Sequence, residues 1–284
     1  MSSLRDIKQR IKNVKSTEQI IKAMDLVAST KLQRVRAQLE GARPIYYELK
    51  RITEEVGSLQ SAQSHVFFRD QEVKNTLYII ITSDRGLSGS YNANITAKAL
   101  EHMNQGKNEM LFFIGAKGYE FFKKKNKNII RTVVDVADAQ VYYGAERVAH
   151  WVIDHYLSGK VQEVFLAYTR FKTVLNHEPL VERLLPLEKN TVSLPSGYGR
   201  KYEPDIHAFI DQLVPLYLHM NLFRAFSESH TSEQAARMVN MDAAGKNATE
   251  IIEDLTHLYN RRRQAMITQE LSEIVGSTNI LNIR

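Results

Sequence analysis

Hydrophobic residues near the start of the chain recur at spacings of three and four. Leu4, Ile7, Ile11 and Val14 are followed in the same register by Glu18, Ile21, Asp25, Ala28, Leu32, Val35 and Leu39. That spacing keeps one stripe of a helix apolar, as in a coiled-coil seam. Two acids interrupt the stripe, and a second apolar line runs through Ile20, Met24 and Val27. A plain two-stranded zipper has no use for the second line, so the middle of this helix is expected to meet neighbours on more than one side. Pro44 predicts a kink or reset, because proline lacks an N–H and crowds the preceding turn. Gly57 predicts the end of the helix.

Residues 58–74 carry no period and read as an irregular connection. The pattern then changes. NTLYIIITS (75–83), EMLFFIGA (109–116), NIIRTVVDV (128–136) and QEVFLAYTRF (162–171) are β-branched, apolar runs of strand length. Helix-like stretches fall between them, at 91–104, 117–125 and 143–158. Continuous apolar strands alternating with helices predict a largely parallel sheet covered on both faces. PLVERLLPL (179–187) adds a candidate edge strand, since its prolines cannot serve a central one. TVSLPSGYGRKYEPD (191–205) reads as a loop from its glycines and prolines.

From Asp205 the pattern is helical to the end. Pro215 is the last proline, and residues 216–284 contain glycine only at 245 and 276. Met238, Met241, Gly245, Ala248, Ile252, Leu255, Tyr259, Arg262 and Met266 alternate three and four apart. A helix of that length would extend roughly 100 Å at 1.5 Å per residue. Gly245 sits in the seam, which predicts close approach by the opposing helix. The expected fold class is therefore α/β: a long antiparallel coiled coil of N- and C-terminal helices with an inserted Rossmann-like α/β domain. The stretches are 1–57 and 205–284 for the helices, and 75–190 for the α/β domain.

Composition narrows the chemistry. The 43% hydrophobic and 25% charged content of the 284 residues is ordinary for a soluble globular protein. With no cysteine, disulfides and thiolate metal sites are excluded. No apolar run reaches the roughly 18 residues of a membrane span. The start, MSSLRDIKQRIKNVKS, has no apolar signal core, so a cytosolic protein is expected, with a peripheral place at a membrane left open. Residues 1–36 hold nine Lys or Arg against three Asp or Glu; residues 205–284 hold seven against ten. The two ends could therefore attract each other as a folded pair. Near the far end Arg261, Arg262 and Arg263 stand side by side. Successive helical residues step about 100° around the axis, so the three point to three sides. Nucleic-acid grooves want charge on one face, often interleaved with aromatics, which argues against nucleic acid.

SDRGLSGSYN (83–92) follows a strand and precedes a helix, where α/β proteins cradle phosphates. Its glycines fit neither dinucleotide nor P-loop spacing. The competing reading is a turn with positive φ at Gly86 or Gly89 and Ser90 or Asn92 capping the helix. The lysines of GAKGYEFFKKK (115–125) read as a solvated helix end. Nine scattered histidines form no ligand pattern.

IKNVKSTEQIIKAMDLVASTKLQ (11–33) and SEQAARMVNMDAAGKNATEIIEDLTHLYNRRRQAMITQELSEIVG (232–276) closely resemble the gamma subunits of rotary F-type ATP synthases. The middle agrees, with TSDRGLSGSYN in place of the family's Asp-Arg-Gly-Leu loop and KYEPD before the final helix. One departure is Ser277-Thr278-Asn279, where the family usually has alanines. The resemblance implies a non-catalytic central-stalk rotor subunit, without cofactor, metal or direct small-molecule substrate. It would stand inside three alpha and three beta subunits, with a foot on the epsilon subunit and the membrane c-ring. Its place would be peripheral, on the cytoplasmic face of the cell membrane. By similarity Arg261, Arg262, Arg263, Gln264 and Thr268 would be contacts to the ring, with Met24 opposite. Ile267, Leu271, Ile274 and Val275 would form an apolar end. Tyr202 and Glu203 would face the c-ring. The residues alone leave two alternatives: an α/β enzyme holding phosphate at SDRGLSGSYN, and a homodimeric coiled-coil scaffold.

Overall fold

The computed structural model describes residues 3–103, 108–136, 140–189 and 202–281. Ten elements follow in order: α1 (Leu4–Gly57), β1 (Asn75–Ile81), α2 (Tyr91–Met103), β2 (Asn108–Ile114), α3 (Ala116–Lys123), β3 (Ile129–Val133), α4 (Val141–Leu157), β4 (Glu163–Phe171), β5 (His177–Leu185) and α5 (Ile206–Leu281). The chain divides into two compact units, one of residues 1–27 with 238–284 and one of residues 28–237.

In the first unit two helices run antiparallel. Glu18 meets Thr249 through a hydrogen bond donated by the threonine hydroxyl at 3.2 Å, and Ile21 lies against Gly245. As one number rises the other falls, which fixes the direction. Ile7, Met241 and Ala248 are buried in the seam, with Leu4, Ile11, Val14, Ala244, Ile252, Leu255 and Tyr259 half-buried beside them. The predicted stripe is thus the observed contact line. Gly245 differs from expectation: a Cβ there would sit 3.7 Å from Ile21 Cγ2, an ordinary contact, so the seam has room for a methyl group.

The second unit is built on a five-stranded sheet of order β3-β2-β1-β4-β5. β1, β2, β3 and β4 are parallel, and β5 joins antiparallel at one edge, with Pro179 opposite Thr169. β1 is buried from its second residue on, as a strand covered on both faces must be. Leu77, Ile79, Ile81, Phe112 and Leu166 point to one face, where α4 and parts of α1 and α5 cover them. Tyr78, Ile80, Leu111, Phe113 and Ala167 point to the other, under α2 and α3. This alternation is the period of two in the side-chain direction of a strand.

Four local features differ from the sequence expectation or sharpen it. α1 runs through Pro44 without a break. The missing N–H costs one helical bond there, and the stripe from Ala42 and Tyr46 to Leu49, Thr53 and Val56 stays buried on both sides of it. The connection after α1 is a series of turns that brings Phe67 and Phe68 into the core. Gly57 ends α1 where a Cβ would stand 3.0 Å from both the Glu188 carbonyl oxygen and the Phe68 ring. Asp205 opens α5: its Oδ1 accepts N–H bonds from His207 at 2.7 Å and Ala208 at 3.0 Å, which holds its carboxyl below the usual range. Of the loop expected at 191–205, residues 191–201 lie outside the described residues.

Gly245→Ala and Gly41→Ala are both expected to stabilise, by about 0.5–1 kcal/mol each, because glycine in a helix interior costs backbone entropy and neither added Cβ meets a clash. Urea midpoints followed by circular dichroism check this; a lower midpoint for Gly245→Ala would mean a seam tighter than 3.7 Å.

Candidate interaction surface

The rod of the first unit has two kinds of surface. Up to Tyr259 the stripe residues are covered and the rest are wet. Arg262 is the last position of the stripe with partial cover, while Arg261 and Arg263 are exposed on either side of it. Of the three arginines, then, one lies along the seam and two face out. From Arg263 through Ile274 every residue is exposed. The antiparallel register explains this: if Ile21 lies against Gly245, the start of α1 at Leu4 falls opposite Arg262. Beyond that point α5 continues alone.

This single-helix end carries Gln264, Met266, Ile267, Thr268, Leu271 and Ile274. Thr268 donates its hydroxyl back to the Gln264 carbonyl at 3.0 Å, which leaves its methyl outward. Leu271 and Ile274 are 58% and 60% exposed. Full burial of such a side chain is worth roughly 1.5–3 kcal/mol, so a collar that covered this end would bind it. On α1 the second apolar line is also wet: Ile20 and Val27 are exposed and Met24 is half-buried.

At the ends of β1 and β2 in the second unit, the SDRGLSGSYN loop is tied to its own neighbours. Asp84 accepts N–H bonds from Ala116 at 3.0 Å and Asp135 at 2.9 Å. Thr82 Oγ1 accepts the Gly118 N–H at 2.9 Å, and the Ser83 carbonyl accepts that of Lys117 at 3.0 Å. The N-terminus of α3, the place for a phosphate, is thereby filled by carboxylate, hydroxyl and carbonyl oxygens of the chain itself. Gly115 (φ 99°) is needed for this approach, since a Cβ would fall 2.2 Å from the Thr82 carbonyl oxygen. In the loop, positive φ occurs at Leu87 (67°) and Gly89 (57°). Asn92 ties back to Ser83, accepting its N–H at 3.0 Å. Among the described residues no three His, Asp or Glu side chains converge as metal ligands, and no helix is long and apolar enough to cross a membrane.

The sequence reading did not single out Arg224, which is 3% exposed. Its guanidinium lies 4.2 Å from the ring centre of Tyr46 and 4.9 Å from that of Tyr168. It donates to Tyr168 Oη at 2.8 Å, Asn221 Oδ1 at 2.7 Å and Glu182 Oε2 at 3.2 Å. Glu228, one turn further, stands 3.6 Å from Arg224 and 3.5 Å from Arg43. Arg170 holds the other Glu182 oxygen at 2.7 Å. One network thus joins α1, β4, β5 and α5. Burial works against the charge of Arg224, but Tyr168, Tyr46, Glu228 and Glu182 outweigh it and raise its pKa. Burial raises the Glu228 carboxyl more than Arg224, Arg43 and Arg170 lower it, in keeping with a buried Oε2 that has no hydrogen-bond partner. The signal in the sequence was the Arg-x-x-x-Glu spacing of 224 and 228 inside an otherwise small and apolar stretch. Of the two residues assigned to the foot, Tyr202 packs inward with its ring 5.0 Å from that of Phe209, and Glu203 is exposed.

The family model described as ATP synthase matches residues 3–281. An ATP synthase gamma chain from Desulforamulus reducens is 40% identical, covering 99% of this chain and 100% of that protein. The ATP synthase gamma chain of Acetobacterium woodii described as sodium ion specific is 36% identical, covering 99% of each. Among solved structures, a chain of the central stalk and c-ring of the Tetrahymena thermophila mitochondrial ATP synthase aligns with a TM-score of 0.63 at 25% identity, over 79% of this chain and 99% of that one. A chain of the Euglena gracilis mitochondrial assembly of OSCP, F1 and c-ring shares the fold, with a TM-score of 0.70 at 18% identity over 98% and 94%.

Arg224→Met is expected to destabilise the second unit by about 3–5 kcal/mol, because it leaves the buried Glu228 and the half-buried Glu182 against fewer cations. Urea unfolding followed by Trp151 fluorescence reads this. Since the raised Glu228 keeps a proton that the unfolded chain releases, stability falls as pH rises from 4.5 toward the folded value. Glu228→Gln should flatten that fall, and an unchanged slope would assign it to another group.

Proposed function

The chain belongs to the ATP synthase gamma-chain family, and from that premise we propose that it works as the shaft through which a turning membrane ring drives, or is driven by, ATP chemistry in a surrounding ring. The chain is a central-stalk component of an ATPase complex that sits at a membrane. The observation that carries this reading is the similarity to gamma chains over the whole length. The single-helix end with an exposed circumference supports it.

The stretches 1–57 and 205–284 form the rod, and 75–190 the foot. The rod stands within three alpha and three beta subunits; the foot meets the epsilon subunit and the c-ring at the cytoplasmic face. The subunit itself carries out no bond-making step: the α3 N-terminus that could hold phosphate is filled from within. Its work is conformational. Each beta site is pushed among states that differ in nucleotide affinity, and the shaft selects the state by the side it presents. Arg261, Arg263, Gln264 and Thr268 meet the ring from the outward faces, and Met24 from the other helix. Arg262 acts close to the seam, where its charge reaches one side only. Exposed ion pairs are worth about 0–1 kcal/mol each, so coupling is spread over many weak contacts, and the shaft slides without sticking. Glu203 faces the c-ring, with Tyr202 as its anchor in the core.

A homodimeric scaffold fits less well, because the α1 stripe is already covered by α5 of the same chain. Purification with tagged beta subunits is expected to recover one copy of this chain per three alpha and three beta. Recovery of two or more copies, or of the chain as a self-dimer, would remove the shaft.

In membrane vesicles holding the whole synthase, deletion of residues 261–284 should lower ATP synthesis several-fold while the second unit stays folded. Arg261→Ala or Arg263→Ala alone should change the rate less than about fivefold, the equivalent of about 1 kcal/mol. Full synthesis rates after the deletion would discard the assigned contacts.

A further inference from the structure

The basic run at the end of α3 has no part in the shaft, and it borders an open sheet edge. Among the described residues β3 is the terminal strand of the sheet and pairs with β2 alone. The Gly115 N–H donates to the Val133 carbonyl at 2.9 Å, so that carbonyl points inward. Along a strand the main-chain groups alternate in direction, which turns the N–H and C=O of Thr132 outward. The opposite edge is different: β5 carries Pro179, and its Glu178 and Glu182 are paired with Lys172 and Arg170. Proline and paired charges blunt an edge. β3 has no proline.

A groove of about 580 Å³ runs along this edge, lined by Tyr119, Lys123, Asn126, Lys127, Arg131 and Thr132 among others. Its walls come from both faces of the sheet. Lys123 lies 5.5 Å from the Tyr119 ring centre on the α3 side. Arg131 lies 5.7 Å from that of Phe112 and 5.6 Å from that of Trp151 on the α4 side. Aromatic rings thus hold a cation at each lip. Lys124 and Lys125 add exposed charge, while Glu120 is engaged by Lys117 at 2.8 Å and Glu109 by Lys127 at 2.7 Å. The rim is strongly positive, beside main-chain groups that face outward.

We propose that the β3 edge is a docking groove for an extended acidic segment of a partner protein, which adds to the sheet as a sixth strand. An added strand places alternate side chains on opposite faces, so acids at either parity meet a cation, Lys123 on one face and Arg131 on the other. The same charge repels the β3 edge of a second copy, which keeps the edge from pairing with itself. The groove therefore selects by charge and binds by main chain. This inference is independent of the shaft reading, since it concerns the second unit alone.

The test uses the full chain and a fluorescein-labelled eight-residue peptide of alternating Glu and Val, read by anisotropy at two salt concentrations. Three comparisons accompany it: a Lys–Val peptide, a Glu–Val peptide N-methylated at every residue so that neither of its edges can donate, and the variants Lys123→Glu/Arg131→Glu (a double substitution, one on each face) and Thr132→Pro. The Glu–Val peptide should bind and slow hydrogen exchange at the Thr132 amide, whereas the Lys–Val peptide should not bind. Full N-methylation, the double substitution Lys123→Glu/Arg131→Glu, and Thr132→Pro should each weaken binding about tenfold or more. Trp151, packed against His155 and Phe112, reports by its emission whether each variant is folded. Equal binding of the N-methylated peptide would reduce the effect to charge alone and overturn strand addition. No binding of the Glu–Val peptide, or binding unchanged by both variants, would overturn the groove itself.

Discussion

Everything in this chain depends on one stripe along α1 finding cover from α5. A 54-residue helix and a 76-residue helix cannot each stand alone in water as long as these do. Helices within proteins draw most of their stability from packing of an apolar face. Here the stripe is continuous in sequence from Leu4 to Val56, yet its setting changes. In the first unit it is covered by Met241, Ala248 and their neighbours alone. In the second it also meets the sheet, with Leu49 and Val56 in the same core as β1, β2 and β4. The seam therefore specifies pairing, while the depth of burial differs between the units.

The sheet places a different demand on sequence. Because β1 and β2 are hidden on both faces, their residues lose the usual polar alternation, and long apolar runs result. This leaves polar chemistry to the strand ends. There Asp84, Thr82 and Ser83 are spent on holding α3, which makes the Asp-Arg-Gly-Leu loop a joint between elements. A nucleotide-binding protein keeps those N–H groups for its ligand.

Most of the architecture was legible in the sequence, because periodicity reports burial directly. The stripe on α1, the seam on α5, four parallel strands and one edge strand all follow from spacing. What escaped has physical reasons. Pro44 read as a kink or reset because local rules weigh one lost hydrogen bond, whereas flanking burial on one stripe keeps the helix continuous through it. Gly245 read as tight because the distance between helices is set by the larger residues around it. Arg224 escaped because its spacing to Glu228 suits an exposed helix pair as well as a buried one; the ring faces of Tyr46 and Tyr168 and the acids beside it make its burial tolerable. The exposed end beyond Arg262 was half legible: the apolar residues were plain, but their lack of cover follows from where α1 begins.

One small arrangement bears on how force passes through the second unit. Beyond the β1 pairing, which ends at Ala167, the main-chain N–H of Thr169 on β4 donates to the Ser229 hydroxyl of α5 at 3.0 Å, and the Ser232 hydroxyl donates to the Thr169 carbonyl at 3.4 Å. A helix bedded only in oil could roll in its socket like a pencil in a greased tube. Bonds of fixed direction act as a key in a keyway: α5 cannot be spun on its own axis against β4 without shearing them, so twist applied to one is delivered to the other with little backlash.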